Sequence, residues 1–340
     1  MEQVKVALVG LGWWGQKIAA TLGGNHAIRI LRAVEIDRGA AATFRAAHDI
    51  PVSDSLDEVL ADPAIEAVLL VTPHALHEEQ IAAVVRAGKH VFCEKPLALT
   101  RAGAERAVAL CHDAGLVLGM GHERRFEPPV AEMLALAEAG QLGRLLQIEA
   151  NFSHDKFLSL DRGNWRLKPD QAPAGGMTAT GIHLTDLAVK LMGPAREVTV
   201  SCERLASDLP SGDTMSALIR FASGGTAYIS ASLATPFFSR FAVFGTDGWI
   251  DVRDRAHVEA PDGWVLTRCM KGAAITVEEV GKAEPVLANF EAFARAVRGV
   301  AQYPITGEEM VNNIALLEAI VRGAASGQTE FLQRLERNAA

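Results

Sequence analysis

The segment Gly10-x-Gly12-x-x-Gly15 constrains what this chain can fold into more than any other feature. An apolar run, Val4 to Val9, leads directly into this segment, and a helical pattern follows it. This order of strand, glycine turn and helix is typical of dinucleotide-binding units. In such a unit Gly10 allows the tight turn, Gly12 lets a pyrophosphate approach the main chain, and Gly15 lets the helix pack on the strand. The alternative is a glycine-rich strand–turn–helix that binds no cofactor.

Apolar strands alternate with helices up to residue 121, which predicts a parallel sheet covered by helices on both faces. Residues 1–121 are therefore expected to form an α/β Rossmann domain. Farther along, four successive strands are predicted without intervening helices, at 197–204, 214–222, 225–234 and 238–244. Residues 122–340 are expected to form an α+β domain with a large open, mostly antiparallel sheet. The helices at about 286–326 are expected to pack back on the first domain.

Length, charge and cysteine content exclude several classes of protein. A chain of 340 residues has room for two domains that each bury a core, and its net charge of −8 offers no basic face to nucleic acid or to an anionic membrane. There is no run of about 18 apolar residues, so no membrane span is expected. The first strand begins at residue 4, which leaves no room for a signal peptide, and the four cysteines form no close pair. These features predict a cytoplasmic protein with reduced thiols.

An acidic residue lies where a dinucleotide-binding unit places one. Residues 28–36 form the second predicted strand, and Glu35 lies near its end, 20 residues after Gly15. A carboxylate at this position accepts hydrogen bonds from the adenosine ribose and repels a 2′-phosphate, so Glu35 favours NAD over NADP. Asp37 is a second candidate for this role, and Arg38 would weaken the discrimination. The alternative is a solvated acid at the end of a strand.

Two histidines follow the next buried strand. The apolar run from Ala67 to Val71 predicts this strand, which ends at Thr72-Pro73-His74. His74 and His77 have a spacing that could hold a metal ion. Because no carboxylate or thiol nearby completes a ligand set, a cofactor contact or a helix-capping role is preferred to a zinc site, and no metal is expected.

A lysine and a proline end the strand that follows. In the sequence Glu94-Lys95-Pro96, the proline interrupts strand pairing and keeps Lys95 out of helical geometry. Since ligands bind at the carboxyl edge of a parallel sheet, Lys95 is expected to point toward the ligand. The alternative is a surface lysine that pairs with Glu94.

Taken together, these motifs resemble those of the Gfo/Idh/MocA family, the glucose–fructose oxidoreductase and inositol dehydrogenase group. The Glu-Lys-Pro element is the specific part of the resemblance, which extends over nearly the whole chain. The other matching elements are Gly10-x-Gly12-x-Trp14-Gly15, Glu35-Ile36-Asp37, Thr72-Pro73-His74-x-x-His77, Ala87-Gly88-Lys89-His90-Val91, Arg124-Arg125-Phe126, Trp165-Arg166, Gly181-Ile182-His183-x-x-Asp186 and Phe244-Gly245-Thr246-x-Gly248.

The resemblance implies an NAD(P)-dependent dehydrogenase that transfers a hydride between nicotinamide and a secondary alcohol of a sugar, cyclitol or sugar derivative. NAD is the expected cofactor, and NADP is the alternative. Lys95 would be the catalytic acid and base, joined to Pro96 by a cis peptide bond, and His183 would assist it at the same substrate carbon. The second domain of family members often makes the subunit contact, so a homodimer or homotetramer is expected.

The resemblance also implies binding residues. Cofactor contacts are expected from Gly10, Leu11, Gly12, Trp13, Trp14, Gly15, Glu35, Ile36, Thr72, Pro73, His77, Glu94 and Lys95. Substrate contacts are expected from Lys95, Arg125, Trp165, Arg166, Thr180 and His183. An indole can stack on a sugar face, and a guanidinium can bind hydroxyl or carboxylate groups. The alternative for Trp165 and Arg166 is simple packing with a surface charge, and the alternative for His183 is a buried core histidine.

Acid–base catalysis by Lys95 requires a change in its pKa. Proton transfer is most efficient when the pKa lies near the working pH, whereas lysine has a reference value of about 10.4. Burial and a positively charged nicotinamide ring nearby would both lower the pKa of Lys95. The ε-amino group would then accept a proton during oxidation and donate one during reduction.

Two positions depart from the family pattern. Ala179 stands where sugar and inositol dehydrogenases carry an aspartate four residues before the histidine, and Glu123 stands where many members carry asparagine or glutamine. The loss of the aspartate argues against inositol-type substrate binding. Two alternatives stay open: a redox-neutral, NAD-using glycoside hydrolase or lyase, and a non-catalytic regulator that senses dinucleotides. The loss of the aspartate favours the regulator, whereas the presence of Lys95 and His183 argues against it.

Overall fold

The computed structural model of the chain describes residues 1–258 and 260–332. The chain divides into two compact units. The first unit comprises Met1–Glu123 and Pro285–Val311, and the second comprises Arg124–Glu284 together with the described residues 312–332. The first unit therefore includes a segment from near the end of the sequence.

The helices and strands of the described residues are numbered here in chain order. The helices are α1 (Trp13–Thr21), α2 (Arg38–Ala47), α3 (Leu56–Leu60), α4 (His77–Arg86), α5 (Arg101–Asp113), α6 (Pro128–Glu138), α7 (Ile182–Met192), α8 (Pro285–Val297) and α9 (Gly307–Ser326). The strands are β1 (Val4–Val9), β2 (Ile28–Val34), β3 (Val52–Ser53), β4 (Ala67–Leu70), β5 (His90–Cys93), β6 (Leu118–Met120), β7 (Leu145–Ser153), β8 (Ala195–Glu203), β9 (Thr214–Phe221), β10 (Thr226–Ser232), β11 (Phe238–Gly245), β12 (Gly248–Asp254), β13 (Trp264–Met270), β14 (Thr276–Val280) and β15 (Glu330–Phe331).

The first unit contains a six-stranded parallel sheet in the order β3-β2-β1-β4-β5-β6. Its central strands β1 and β4 are mostly apolar because both faces of a parallel sheet are covered, and every residue of β4 is buried. The strand order reverses between β1 and β4. Ligands of such sheets bind at this switch point, outside the carboxyl ends of the strands. The Rossmann sheet predicted from the sequence is confirmed.

Helix α8 belongs to the first unit, although it follows the second sheet in the sequence. Its Phe290 and Phe293 pack against Phe92 of β5, with ring centroids 4.4 and 5.5 Å from that of Phe92. Gly119 of β6 leaves space for the rings of Phe92 and Phe293, since a Cβ atom at this position would lie 2.6 and 2.7 Å from them. The apolar face of α8 therefore completes the core of the first unit. Helix α9 begins in the first unit, and from Asn312 it belongs to the second.

The second unit contains a nine-stranded sheet in the order β14-β13-β12-β11-β7-β10-β9-β8-β15. Strands β7 and β10 pair in parallel, and the other adjacent pairs within the described residues are antiparallel. The predicted open, mostly antiparallel sheet is confirmed. The strand patterns in the sequence end at residue 244, whereas the sheet continues through β12, β13 and β14. Strand β14 shows no alternation of polar and apolar residues because most of its residues are exposed.

A wide helical turn precedes α7. Residues Met177–Gly181 form a π-helical turn, and regular α-helix begins at Ile182. The sequence pattern predicts one continuous helix from about Thr180, and hydrophobic periodicity does not distinguish a π turn from an α turn. Isolated π turns occur frequently at functional sites. The turn leads directly to the predicted catalytic histidine.

No helix within residues 1–258 and 260–332 is long and apolar enough to cross a membrane. The four cysteines are free thiols. Cys93 and Cys111 are buried, and Cys202 and Cys269 are partly exposed. Burial raises the pKa of Cys111 to about 11, so its thiol stays protonated at neutral pH.

Candidate active site

The glycine turn after β1 has the geometry that a dinucleotide requires. Gly10 has φ +92°, and a Cβ atom there would lie 2.5 Å from the carbonyl oxygen of Val71. A Cβ atom on Gly15 would overlap the carbonyl oxygen of Gly10, so both positions need glycine for packing. At Gly12, by contrast, no described atom outside Gly12 and its two chain neighbours lies within 4 Å of the Cβ position. Gly10 and Gly15 therefore pack closely against the main chain, whereas space remains beside Gly12. The three glycines together fit a pyrophosphate group.

Glu35 is held beside the glycine turn. Its Oε2 accepts a 2.7 Å hydrogen bond from the Leu11 N–H group, and its Oε1 accepts one of 2.9 Å from the Asp37 N–H group. Asp37, the rival for the ribose-binding role, caps α2, because its Oδ1 accepts a 2.7 Å hydrogen bond from the Ala40 N–H group. Ile36 lies between the two acids with 81% of its surface exposed. Glu35 is thus the acid that contacts the predicted cofactor loop.

The two tryptophans of the glycine turn differ in burial. Trp13 is 54% exposed, and its ring centroid lies 5.3 Å from that of Trp14. The Trp14 indole donates a hydrogen bond to the Glu94 carboxylate, which connects the loop after β1 with the end of β5. Burial raises the pKa of Glu94, although the Lys95 charge and the Trp14 hydrogen bond act in the opposite direction. Gly121 lets this carboxyl group fit, since a Cβ atom there would lie 2.6 Å from it.

Lys95 follows β5 at the carboxyl edge of the parallel sheet and is partly exposed. The peptide bond between Lys95 and Pro96 is cis, as the resemblance predicts. The Lys95 N–H group donates a 3.3 Å hydrogen bond to Glu94 Oε2. The side chain therefore starts from the edge where ligands of such sheets bind.

Thr72, Pro73, His74 and His77 lie beyond the end of β4. Thr72 and Pro73 are partly exposed, and the Thr72 hydroxyl donates a 2.5 Å hydrogen bond to Gln80 Oε1. His77 is fully buried, with Nδ1 2.7 Å from the Pro96 carbonyl oxygen and Nε2 3.0 Å from the Thr72 carbonyl oxygen. Both ring nitrogens that a metal could bind thus face backbone carbonyls. The described residues contain no group of three or more histidine, cysteine or acidic side chains that could hold a metal ion.

His183 is the second residue of α7 and is buried in the second unit. Ala179 and Thr180 lie in the π-helical turn that precedes it. The Thr180 hydroxyl lies 2.8 Å from the Gly176 carbonyl oxygen and 3.2 Å from that of Phe152. Its hydroxyl hydrogen is therefore engaged within the protein, and the predicted substrate contact of Thr180 stays a prediction.

Arg125 forms a buried ion pair with Asp186 of α7. Arg125 Nε and Nη2 donate hydrogen bonds of 2.7 Å each to the two carboxylate oxygens. The side chains are 4% and 1% exposed. Paired donors of a guanidinium match the two oxygens of a carboxylate, which makes this a strong, directional contact. The pair fixes α7 one turn after His183, and the substrate role expected for Arg125 stays a prediction.

Trp165 and Arg166 begin a short 3₁₀ turn in the loop after β7. The Arg166 guanidinium carbon lies 4.4 Å from the centroid of the Trp165 ring, a cation–π arrangement. Burial lowers the pKa of the Arg166 guanidinium. Asn164 supports the turn, since its Oδ1 accepts a 3.0 Å hydrogen bond from the Arg166 N–H group.

Sequence reasoning missed Asn313 of α9. The Thr185 hydroxyl donates a 2.7 Å hydrogen bond to Asn313 Oδ1, and Asn313 Nδ2 lies 3.4 Å from the Ile182 carbonyl oxygen. Asn313 is 1% exposed, so it supports the first turn of α7, which carries His183, from inside the core. One feature of the sequence indicates a buried polar contact here: two asparagines, Asn312 and Asn313, lie within an otherwise apolar stretch of helix.

Two segments of the chain match known protein families. Residues 4–122 match the family described as "Oxidoreductase family, NAD-binding Rossmann fold". Residues 130–251 match the one described as "GFO/IDH/MocA C-terminal domain". Together these segments cover most of the chain.

Relatives of known activity align over almost the whole length of the chain. It is 31% identical over 334 residues to a 1,5-anhydro-D-fructose reductase of Ensifer adhaerens, covering 94% of this chain and 98% of that protein. It is 28% identical over 318 residues to the D-xylose 1-dehydrogenase (NADP(+)) 2 of Haloferax volcanii, covering 91% and 96%. An aldose-aldose oxidoreductase from Caulobacter crescentus, solved with glycerol, has the same fold, with a TM-score of 0.85, 24% identity and coverage of 97% and 100%. The chain belongs to the GFO/IDH/MocA family of NAD(P)-dependent oxidoreductases.

Proposed function

We propose that this protein transfers a hydride between NAD and a secondary alcohol of a sugar, cyclitol or sugar derivative, or the corresponding ketone. The observation that carries the proposal is the position of Lys95, at the carboxyl edge of the sheet whose first strand ends in the glycine turn. When bound, oxidised NAD would accept the hydride from the alcohol, and NADH would supply it to the ketone. The protein must then bind the substrate, orient it and transfer one proton to or from the substrate oxygen.

Lys95 is assigned the proton transfer. During oxidation its neutral amine accepts the proton of the substrate hydroxyl, and during reduction its ammonium group returns a proton to the oxygen. His183 assists by orienting that oxygen or sharing its proton. Support for His183 comes from its fixed position in the first turn of α7, which Asn313 and the ion pair between Arg125 and Asp186 hold in place. Ala179 supplies no carboxylate, so the proposed acid–base set is Lys95 and His183.

NAD is proposed as the preferred cofactor because of Glu35. Two backbone N–H groups hold its carboxylate next to the glycine turn. A fixed negative charge at this position accepts hydrogen bonds from ribose hydroxyls and repels a 2′-phosphate. The expected cofactor contacts of Gly10, Gly12 and the other residues of the glycine turn complete this part of the proposal.

The reduction of a sugar-derived ketone is the first reaction to test. The relative with 31% identity is a 1,5-anhydro-D-fructose reductase, which makes 1,5-anhydro-D-fructose the first candidate substrate. Trp165 and Arg166 are proposed as substrate contacts, because a stacked indole and guanidinium present a flat surface with hydrogen-bond donors at its edge. Thr180 and Arg125 are proposed to make additional contacts with the same substrate.

The deciding experiment follows reduced nicotinamide by its absorbance. Purified protein is mixed with NADH or NADPH and 1,5-anhydro-D-fructose, and with NAD or NADP and cyclitols, aldoses, sugar acids and nucleotide sugars. Turnover with one class of compound is expected. Lys95→Ala should lower kcat by about 10²-fold or more while NADH still binds, because it removes only the acid–base group. Full turnover in this variant would disprove the assignment of Lys95.

Two other outcomes would point to the alternative functions. Conversion of a glycoside without net formation of NADH would indicate a redox-neutral enzyme. Tight NAD binding without conversion of any compound would indicate a regulator. Either result would contradict the proposed dehydrogenase.

We also propose that the chain forms a homodimer or homotetramer through its large sheet. Leu218 and Tyr228 are cross-strand neighbours on β9 and β10, and each is 47% exposed. A second copy of the chain would cover this apolar pair. Light scattering after size exclusion is expected to give an oligomer, and Leu218→Glu with Tyr228→Glu should give a monomer. A monomeric wild-type protein would contradict the proposal.

A further inference from the structure

The His77 ring lies between two loops at the carboxyl edge of the parallel sheet. Nδ1 lies 2.7 Å from the carbonyl oxygen of Pro96, in the loop after β5. Nε2 lies 3.0 Å from the carbonyl oxygen of Thr72, in the loop after β4. His77 itself is the first residue of α4. One side chain thus contacts two loops: the loop after β4, which is predicted to contact the cofactor, and the loop after β5, which follows the predicted acid–base residue Lys95.

Complete burial distinguishes His77 from a residue that contacts a ligand directly. The side chain has no exposed surface, and each nitrogen already faces a backbone oxygen. Carbonyl oxygens only accept hydrogen bonds, so a neutral ring donates to one of them and a protonated ring donates to both. Burial lowers the pKa of His77, and the two carbonyls oppose this effect. The ring is therefore oriented toward the loop backbones.

A second side chain of α4, that of Gln80, contacts the loop after β4. Gln80 lies three residues after His77, on the same face of α4. Its Oε1 accepts a 2.5 Å hydrogen bond from the Thr72 hydroxyl. Thr72 therefore has two contacts with α4: its carbonyl oxygen lies beside the His77 ring, and its hydroxyl is hydrogen-bonded to Gln80. The Pro96 carbonyl oxygen lies beside the other nitrogen of the His77 ring.

We propose that His77 is a positioning residue, which sets the Thr72 loop for cofactor binding and the Pro96 loop for proton transfer by Lys95. This inference rests on the proposed function of Lys95. The two contacts have separate consequences. Loss of the Thr72 contact should weaken cofactor binding, and loss of the Pro96 contact should displace Lys95 and slow the chemical step.

Two substitutions separate the contacts. The amide nitrogen of asparagine is the same number of bonds from Cβ as Nδ1 of histidine, and that of glutamine corresponds to Nε2. His77→Asn therefore retains a donor for Pro96 only, and His77→Gln retains one for Thr72 only. His77→Leu removes both polar contacts. Glu79→Gln, on the exposed face of α4, is the control.

The readouts are kcat with the identified substrate, the Kd of NADH by fluorescence, and the melting temperature. In His77→Gln, kcat should fall about tenfold or more, because a small displacement of a catalytic group has effects of this size, while the Kd stays within about threefold. In His77→Asn, the Kd should rise about three- to tenfold while kcat changes less. A residue that only stabilises the fold would lower the melting temperature without separating kcat from Kd.

Lys95→Ala is measured beside these variants. If Lys95→Ala loses turnover and all His77 variants keep wild-type kcat and Kd, the inference is wrong and the proposed function stands. If Lys95→Ala keeps its turnover, the proposed function fails, and the Pro96 part of the inference fails with it. The NADH affinities of the Asn and Gln variants still decide the Thr72 part, and equal affinities in both would overturn it.

Discussion

The backbone N–H group of Leu11 donates a 2.7 Å hydrogen bond to Glu35 Oε2. The acid at the end of β2 is thereby attached to the glycine turn after β1. The Asp37 N–H group holds the other carboxylate oxygen. Two donors leave the carboxylate little rotational freedom, so its charge stays beside the expected ribose site.

Glu35→Ser should shift the cofactor preference toward NADP. Removal of the carboxylate removes its repulsion of a 2′-phosphate, and the serine hydroxyl can donate a hydrogen bond to that group. The ratio of kcat/KM for NADPH to that for NADH is expected to rise about tenfold or more. Asp49→Asn, an exposed acid in the same unit, is the control and should leave the ratio unchanged. An unchanged ratio in Glu35→Ser would show that another residue selects the cofactor.

Gly12→Ala and Gly10→Ala should fail in different ways. Outside Gly12 and its chain neighbours, no described atom lies within 4 Å of a Cβ atom at this position, so Gly12→Ala should keep its melting temperature. It should lose NADH affinity by about tenfold or more, because the methyl group would occupy the expected pyrophosphate position. At Gly10 the φ of +92° and the close Val71 oxygen should cost about 1–3 kcal/mol of folding free energy. Thermal unfolding and NADH titration check both variants. A destabilised Gly12→Ala with normal affinity would contradict the turn geometry described above.

Arg125→Met should strongly destabilise the protein. It leaves the Asp186 carboxylate buried without its guanidinium, and breaking a buried ion pair costs about 3–5 kcal/mol. The double variant Arg125→Met, Asp186→Leu should recover much of this loss, because it leaves no isolated charge. Urea unfolding measures both effects.

The double variant also tests the expected substrate role of Arg125. If stability returns and the KM for substrate stays near the wild-type value, Arg125 does not bind substrate. If stability returns and KM rises strongly, the guanidinium also binds substrate. Equal stability of the single and double variants would contradict the ion-pair argument.

Asp213 should contribute to stability at neutral pH and lose this contribution in acid. Burial alone raises its pKa, but N–H groups of Ala206 and Leu205 and hydroxyls of Ser207 and Thr214 donate to its carboxylate and lower the pKa to about 2. Because the folded pKa lies below the ordinary value of 3.8, the contribution is complete above about pH 4 and is lost as the pH falls through about 2.

Asp213→Asn should therefore be less stable than the wild type by about 2 kcal/mol at pH 7, as expected for the loss of hydrogen bonds to a charged group. The difference should shrink as the pH falls from 4 to 2, which unfolding curves at several pH values would measure. Asp208→Asn, an exposed acid in the same loop, is the control. A difference that stays constant with pH would contradict the low pKa of Asp213.

Much of the first sheet and its glycine turn could be predicted from the sequence because their signals are local. The apolar run of β1, the glycine spacing and the acid at the end of β2 all lie within the first 35 residues. The capping box of α9 is equally local: the Glu309 N–H group donates to the Thr306 hydroxyl, and the Thr306 N–H group donates to Glu309. Such patterns depend on backbone stereochemistry and on hydrogen bonds between near neighbours.

The remaining features depend on residues that are distant in the sequence. Patterns in the sequence are enough to predict the Rossmann unit, the end of β5 at Lys95 and the family to which the chain belongs. The folded chain alone reveals that His77 faces Pro96, that Arg125 pairs with Asp186 and that Asn313 supports α7. It also reveals that β14 joins the large sheet, although its residues are mostly exposed. These contacts form because folding brings buried polar groups from different segments together, where each must find a hydrogen-bond partner.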